Sequence, residues 1–312
     1  MLKEPIQINQ LVLNNRIVQP PMATEKSTNG QVSDSLCEYY QQRSGYTGLI
    51  ITEHAYIMKN GKASRNQLSV GKDANVDELK KLVDAIHSQP NTKVFAQINH
   101  AGCKSKQEVT GEPVLDINTL TKEELNEIKE AFVSSALLVK QAGYDGVEIH
   151  GAHGYFNCQM YSPLINHRRD EYTGSTMEGR TKFQCEVISA VRKAVGEDYP
   201  IAYRFGACDY QEGGSTEKEA GIAAKLFEEA GVDLLDVSGG MNGYMIPGNT
   251  TPGWFSHVGK IIKDSVNIPL LITGGITTKE EAEKVLEEKA CDLVGVGRAI
   301  LRDADWSKNA LK

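Results

Sequence analysis

The stretch "QAGYDGVEIH", Gln141 to His150, joins three local signals in ten residues. An Ala-Gly pair closes a helix, an aspartate follows, and an apolar run takes over. The pattern recurs as "EAGVDLLDV" (229–237) and "EKACDLVGV" (288–296). Each copy reads as a helix feeding a strand through a short loop, which is half of a βα repeat. The runs are nearly continuous in apolar residues instead of alternating, as expected of parallel strands buried on both faces. Working outward, eight such runs are found: "RIVQP" (16–20), "GLIIT" (48–52), "KVFAQI" (93–98), "GVEIH" (146–150), "PIAYRF" (200–205), "DLLDVS" (233–238), "PLLIT" (269–273) and "DLVGVG" (292–297). Helical periodicity fills the gaps between most of them. Leu79, Leu82, Val83 and Ile86 share one face of "VDELKKLVDAIHSQ", and Thr121 with Glu124 forms a capping-box signature ahead of Gly143. Eight units without a break predict a (β/α)8 TIM barrel, and the length is close to the usual size. A doubly wound open sheet is the structural rival. The alternating segment "IQINQLVLNNR" (6–16) is expected to form a short N-terminal hairpin against the barrel floor. With no low-complexity linker or composition shift, residues 1–312 read as one domain.

Composition narrows the function classes. Hydrophobic residues make up 40% and charged residues 24%, as in ordinary globular proteins, and the net charge of −7 does not suggest a nucleic-acid partner. Six cysteines, at 37, 103, 158, 185, 208 and 291, form no CxxC pair and read as free thiols in a reducing compartment. No zinc or iron–sulfur spacing is present. The N-terminus "MLKEPIQINQ" lacks the apolar core of a signal peptide, and no stretch reaches the roughly 20 apolar residues of a membrane helix. A cytoplasmic protein without a membrane partner is expected.

In a barrel, chemistry gathers at the C-terminal ends of the strands. Here those ends carry "PPMAT" (20–24), "TEHA" (52–55), "QINHAG" (97–102), "HGAHGY" (150–155), Arg204, "SGG" (238–240), "TGG" (273–275) and "GVGR" (295–298). Gly274, Gly275 and Gly297 let backbone N–H groups approach a ligand, and Arg298 adds a charge, which together suit a phosphate after the last two strands. Tight turns with a surface arginine are the plainer reading. His150 and His153 invite three readings. A metal pair lacks the third and fourth ligands, because only His100 is near and HGAH lacks the glutamate of HExxH, so no metal is expected. A buried, hydrogen-bonded pair is the second reading. The third has both imidazoles donating to a developing oxyanion. Tyr155, protonated at neutral pH, suits a proton donor, with Tyr161 and Tyr172 competing for that role.

On these residues the chain resembles the Old Yellow Enzyme family of FMN-dependent ene-reductases, also labelled NADH:flavin oxidoreductases. The resemblance covers nearly the whole chain. It is carried by "NNRIVQPPMAT" (14–24), "QINHAG", the long block "GYDGVEIHGAHGYFNCQMYSPLINHRRDEYTGSTMEGR" (143–180), "TGGI" (273–276) and "DLVGVGRAILRD" (292–303). It implies FMN as cofactor and NADH or NADPH as reductant. It also implies that Pro21, Met22 and Ala23 line one side of the flavin ring, that Gln97 meets its pyrimidine edge, and that Arg204 stands near N1 and O2. Gly275, Gly297 and Arg298 match the phosphate grip, His150 and His153 the pair that binds a substrate oxygen, and Tyr155 the proton donor.

Two departures stand out. The family often has Thr or Cys where Ala23 stands, bonding the flavin O4; Thr24, one residue on, points the other way. The block that commonly reads HAGR is here "HAGCK", with Cys103 and Lys104. The chain ends at Lys312, where larger relatives continue with an iron–sulfur cluster and nucleotide-binding domains, and neither extension is expected. The resulting expectation is an oxidoreductase that takes hydride from NAD(P)H and reduces the C=C bond of an α,β-unsaturated carbonyl compound or related electrophile. Its partners would be that small molecule and, in a homo-oligomer, copies of itself. The alternatives are a flavin-free sugar-phosphate aldolase or isomerase barrel, and a flavin-binding module without turnover. "EEAEKVLEEK" (280–289) reads as a solvated helix face, and Cys103 and Cys208 as packing. His54 and His100 stand near the pocket with no step assigned. The glycine-rich stretch 239–255, with Tyr244 and Trp254, has the composition of a substrate lid.

Overall fold

All eight apolar runs lie in parallel strands that close on themselves. The structure, a computed structural model, describes residues 1–312. The barrel strands are β3 (Ile17–Gln19), β4 (Leu49–Tyr56), β5 (Lys93–Asn99), β6 (Gly146–Gly151), β7 (Ile201–Cys208), β8 (Leu234–Gly239), β9 (Leu270–Thr273) and β10 (Leu293–Gly295), with β10 pairing back onto β3. Ahead of them, β1 (Ile6–Ile8) and β2 (Leu11–Leu13) form an antiparallel hairpin. The helices are α1 (Asp34–Gln41), α2 (Val76–His87), α3 (Gln107–Thr110), α4 (Lys122–Gln141), α5 (Phe156–Tyr161), α6 (Met177–Val195), α7 (Glu217–Ala230), α8 (Ser256–Lys263), α9 (Lys279–Glu287), α10 (Arg298–Arg302) and α11 (Trp306–Ala310). This is the expected (β/α)8 TIM barrel with its hairpin. Capping boxes start α4 at Thr121, α7 at Thr216 and α9 at Thr278, each satisfying N–H groups that the first turn leaves unpaired.

Side chains alternate between the two faces of each strand, and that alternation sorts the molecule into layers. Outward residues such as Ile50, Val94, Ile98, Val147, Ile149 and Phe205 join the large core between barrel and helices. Inward residues at the N-terminal ends, among them Leu49, Phe95, Ala202, Leu234, Leu271 and Leu293, form a separate small core with Ile8 and Leu13 of the hairpin. Phe95 has room because its register partner is Gly146, where an added Cβ would come within 2.4 Å of the ring. One turn further up, the inward residues become polar: Gln97, Glu148, Arg204 and Asp236, all buried. The hairpin therefore seals one end of the barrel with apolar contacts, and the polar layer supports the opposite end.

Strand β4 outruns the apolar run that signalled it. It continues through Tyr56, with a slip of register against β5 between Thr52 and Ala55. Such a slip re-aims side chains, and it falls on the residue His54.

Candidate active site

The C-terminal ends of the strands surround a cavity of about 460 Å³, within the range of small-molecule and cofactor sites. Its wall includes Pro21, Met22, Ala23, Gln97, His150, His153, Tyr155, Arg204, Gly274, Gly275, Gly297 and Arg298. The structure thus brings every expected site residue to one place. It adds Pro20, His54, Tyr244, Trp254, Thr273, Ile276 and Gly295. Tyr161 and Tyr172, which competed with Tyr155, stay outside the cavity. Tyr161 is buried beneath the Arg180 guanidinium, and Tyr172 donates to Glu186 Oε2 at 3.1 Å. Cys103 and Cys208 are also outside it: Cys208 Sγ is 3.2 Å from the Ser215 carbonyl, and the Cys103 backbone N–H donates to Gln159. Lys104 reaches the rim, where its Nζ donates to the His153 carbonyl at 2.5 Å and stands 5.5 Å from the Tyr155 ring centre.

The histidine pair comes from the end of β6 and the turn after it. His153 holds a left-handed backbone with φ of 58°, uncommon for a residue with a Cβ and found preferentially at functional sites. The rings lie edge to face, 5.1 Å apart. The Ala152 N–H donates to His150 Nδ1 at 3.2 Å, which places the His150 proton on Nε2. His153 Nε2 is bonded to Ser238 Oγ at 2.7 Å, leaving Nδ1 as its other polar atom. Burial, reinforced for His150 by the repulsion that a protonated His153 would add and for both by the Arg204 charge, holds the two imidazoles well below the usual histidine pKa. Both are neutral across the physiological range, and His150 presents its Nε2–H. Tyr155 packs against His150 with ring centres 5.0 Å apart, and burial raises its phenol, which keeps the proton on oxygen.

Beneath these rings runs a buried polar chain. Gln97 Nε2 donates to Glu148 Oε1 at 2.7 Å. Arg204 Nε lies 3.3 Å from Asp236 Oδ2, close as an ion pair but not aligned as a hydrogen bond. Burial and then the Asp236 charge push the Glu148 carboxyl well above the carboxylate range, while burial pushes Asp236 up to about 6 against the pull of Arg204. The sequence reading missed this chain, since Glu148 and Asp236 sit inside apolar runs. Their signal was the acid itself, at an inward position of a buried strand.

The residues present fit a flavin mononucleotide. The cavity offers a planar amide (Gln97) and a fixed guanidinium (Arg204), with Arg204 Nε, Thr273 Oγ1 and Trp254 Nε1 all buried and unpartnered. At the far end, Gly275 is left-handed with φ of 69°, and an added Cβ would meet Trp254 Nε1 at 2.7 Å. A Cβ on Gly297 would stand 3.3 Å from Met22 Sδ, a tight approach that glycine avoids. Arg298 extends over the Trp254 ring at 5.4 Å. Thr24 turns away from the cavity: its N–H donates to Glu53 Oε2 and its hydroxyl accepts from Lys26 N–H at 3.2 Å.

The sequence model of the NADH:flavin oxidoreductase / NADH oxidase family matches residues 1–312. The chain belongs to this family. FMN is the cofactor that membership brings. A flavin-free aldolase or isomerase barrel is thereby set aside. Among family relatives, the chain is 40% identical to an NADH oxidase of Thermoanaerobacter brockii, 97% of this chain aligning with 50% of that one. It is 34% identical to a metal reductase of Desulforamulus reducens, covering 48% of it, and 38% identical to an NADPH dehydrogenase of Clostridium acetobutylicum, covering 91%. The chain therefore spans about half the length of the first two and nearly all of the third. A solved 2-naphthoyl-CoA reductase complex superposes with a TM-score of 0.91 at 27% identity, over 99% of this chain and 52% of that one. An old yellow enzyme homologue from Zymomonas mobilis shares the fold, with a TM-score of 0.86 at 23% identity over 99% and 92% of the two chains. No helix is long and apolar enough to cross a membrane.

Proposed function

We propose that the chain reduces the C=C bond of an α,β-unsaturated carbonyl compound or a related electrophile with electrons from NADH or NADPH. One observation carries this reading: two neutral imidazoles and a protonated phenol share a cavity with the residues suited to FMN. Bound FMN would supply the two-electron relay, taking hydride from the nicotinamide and passing it to the substrate. Gln97 and Arg204 would hold its ring, Pro21, Met22 and Ala23 would line one side, and Gly274, Gly275, Gly297 and Arg298 would hold its phosphate. His150 Nε2–H and His153 would grip the substrate oxygen and stabilise the negative charge that grows there. Tyr155 would deliver a proton to the substrate carbon. Both substrates use one cavity, so ping-pong kinetics are expected. The NADH oxidase and NADPH dehydrogenase relatives support the reductant.

The test is anaerobic and separates the half-reactions. Tyr155→Phe should slow enone reduction by ~10²–10⁴-fold, the scale of general acid catalysis, while flavin reduction by NAD(P)H keeps its rate. Equal losses in the two half-reactions would remove Tyr155 from the proton transfer. Wild-type protein that turns over no enone, nitroalkene or quinone would overturn the substrate class.

A further inference from the structure

His54 is a third imidazole on the cavity wall, and neither the histidine pair nor Tyr155 explains it. It stands on β4 at the register slip, and it lines both this cavity and a smaller crevice together with Ala23. Its ring centre lies 5.3 Å from that of Tyr155 and 6.3 Å from that of His150.

Its proton can be placed from its neighbours. The Ala63 N–H donates to Gln67 Oε1 at 2.6 Å, which orients that amide with Nε2 toward His54. Gln67 Nε2 then donates to the His54 carbonyl at 3.1 Å and faces His54 Nδ1 at 3.3 Å. An amide nitrogen is a donor only, so Nδ1 must be the acceptor and the ring proton sits on Nε2. The Asn99 side-chain amide lies 3.1 Å from the same Nδ1. Nε2 makes no bond to the protein. Burial lowers the ring's pKa to about 4, so it remains neutral with that one proton over the working range.

A packing residue would not need this arrangement. The Gln67 amide fixes one nitrogen and leaves the other N–H without a protein partner on a residue of the cavity wall, free to donate to a bound molecule. Ala23 beside it brings only a methyl group and no donor of its own. We propose that His54 is a further ligand-binding residue of the cavity, its Nε2–H donating to a carbonyl-type oxygen of the molecule bound there. The oxygen can belong to the flavin or to the substrate. The proposal rests on the flavin reading above.

The test compares FMN-loaded wild-type protein with His54→Phe, which fills the space without a donor, and His54→Gln, whose Nε2 replaces the donor. Two quantities are read: the reduction potential of the bound flavin, and the affinity for cyclohexanone, a saturated ketone, followed by the visible spectrum. A flavin carbonyl as partner predicts a shifted potential in His54→Phe with cyclohexanone affinity unchanged. A substrate oxygen predicts an unchanged potential and about ten-fold weaker cyclohexanone binding, the scale of one hydrogen bond. In either case His54→Gln restores the wild-type value. The proposal is overturned if His54→Phe matches wild type in both quantities. It is also overturned if the two variants lose equally, including an equal loss of FMN, since shape alone would then be at work. Wild-type protein that binds no FMN overturns the flavin reading together with this one; yellow wild-type protein with matching variants overturns only this one.

Discussion

His100 shows how one residue type serves two ends in this protein. It is fully buried, its Nδ1 accepts from the Gly102 N–H at 3.0 Å, its Nε2 lies 3.2 Å from Asn60 Oδ1, and it is absent from the cavity wall. Burial lowers its pKa to about 3. In the unfolded chain a histidine titrates near 6.5. As pH falls below that value the unfolded state takes up a proton that the native state refuses, so stability present above pH 6.5 is lost toward pH 3. The buried His54, His150 and His153, also lowered, add to the same loss. Asp236, raised to about 6, acts in the opposite direction: its contribution is present below about pH 4 and disappears as pH rises through 6. His100→Gln should therefore melt lower than wild type at pH 7 but decline less steeply between pH 6.5 and 4. Thermal melts across that window measure it, and parallel slopes would show that His100 does not contribute.

At the scale of elements, the hairpin is the part whose function is purely structural. Ile8 and Leu13 are sealed from solvent among inward residues of seven barrel strands, at the end away from the cavity. Truncating a buried leucine costs about 2–5 kcal/mol, depending on how far the site collapses. Leu13→Ala should lower the urea midpoint by an amount in that range while the flavin spectrum of the folded protein stays unchanged; a changed spectrum would mean that the floor and the cavity are coupled. Much of this architecture was legible because its signals are local. Apolar runs, closing glycines and capping boxes each act within a few residues, and they located all eight barrel strands, the hairpin and helices such as α4. His150, His153, Tyr155, Arg204 and the glycines, singled out at the strand ends, line one cavity. What escaped depends on neighbours distant in the chain. The proton on His54 is set by Gln67, the Gln97–Glu148 bond joins two strands, and the length of β4 follows from its pairing with β5, not from its own composition. A single acid inside an apolar run looks like an interruption until the opposite strand supplies its partner.

The molecule as a whole divides its strands between two tasks. One end of the barrel is apolar and closed by the hairpin; the other carries a buried, partly unpartnered polar layer and a cavity whose glycines keep space open instead of filling it. Such an end is costly in the empty protein, because buried polar atoms without partners lose their hydration and gain nothing in return. A ligand that satisfies them binds the native state and not the unfolded one, and so must raise stability by mass action, reaching about 4 kcal/mol at a thousand times its Kd. Stripping FMN should lower the melting temperature, and titrating FMN back should raise it continuously with the logarithm of its free concentration. Riboflavin, which lacks the phosphate, should produce a smaller shift at equal concentration if Gly275, Gly297 and Arg298 form the grip. Equal shifts for the two would place the binding energy in the ring alone and remove the strand-end glycines from the cofactor site.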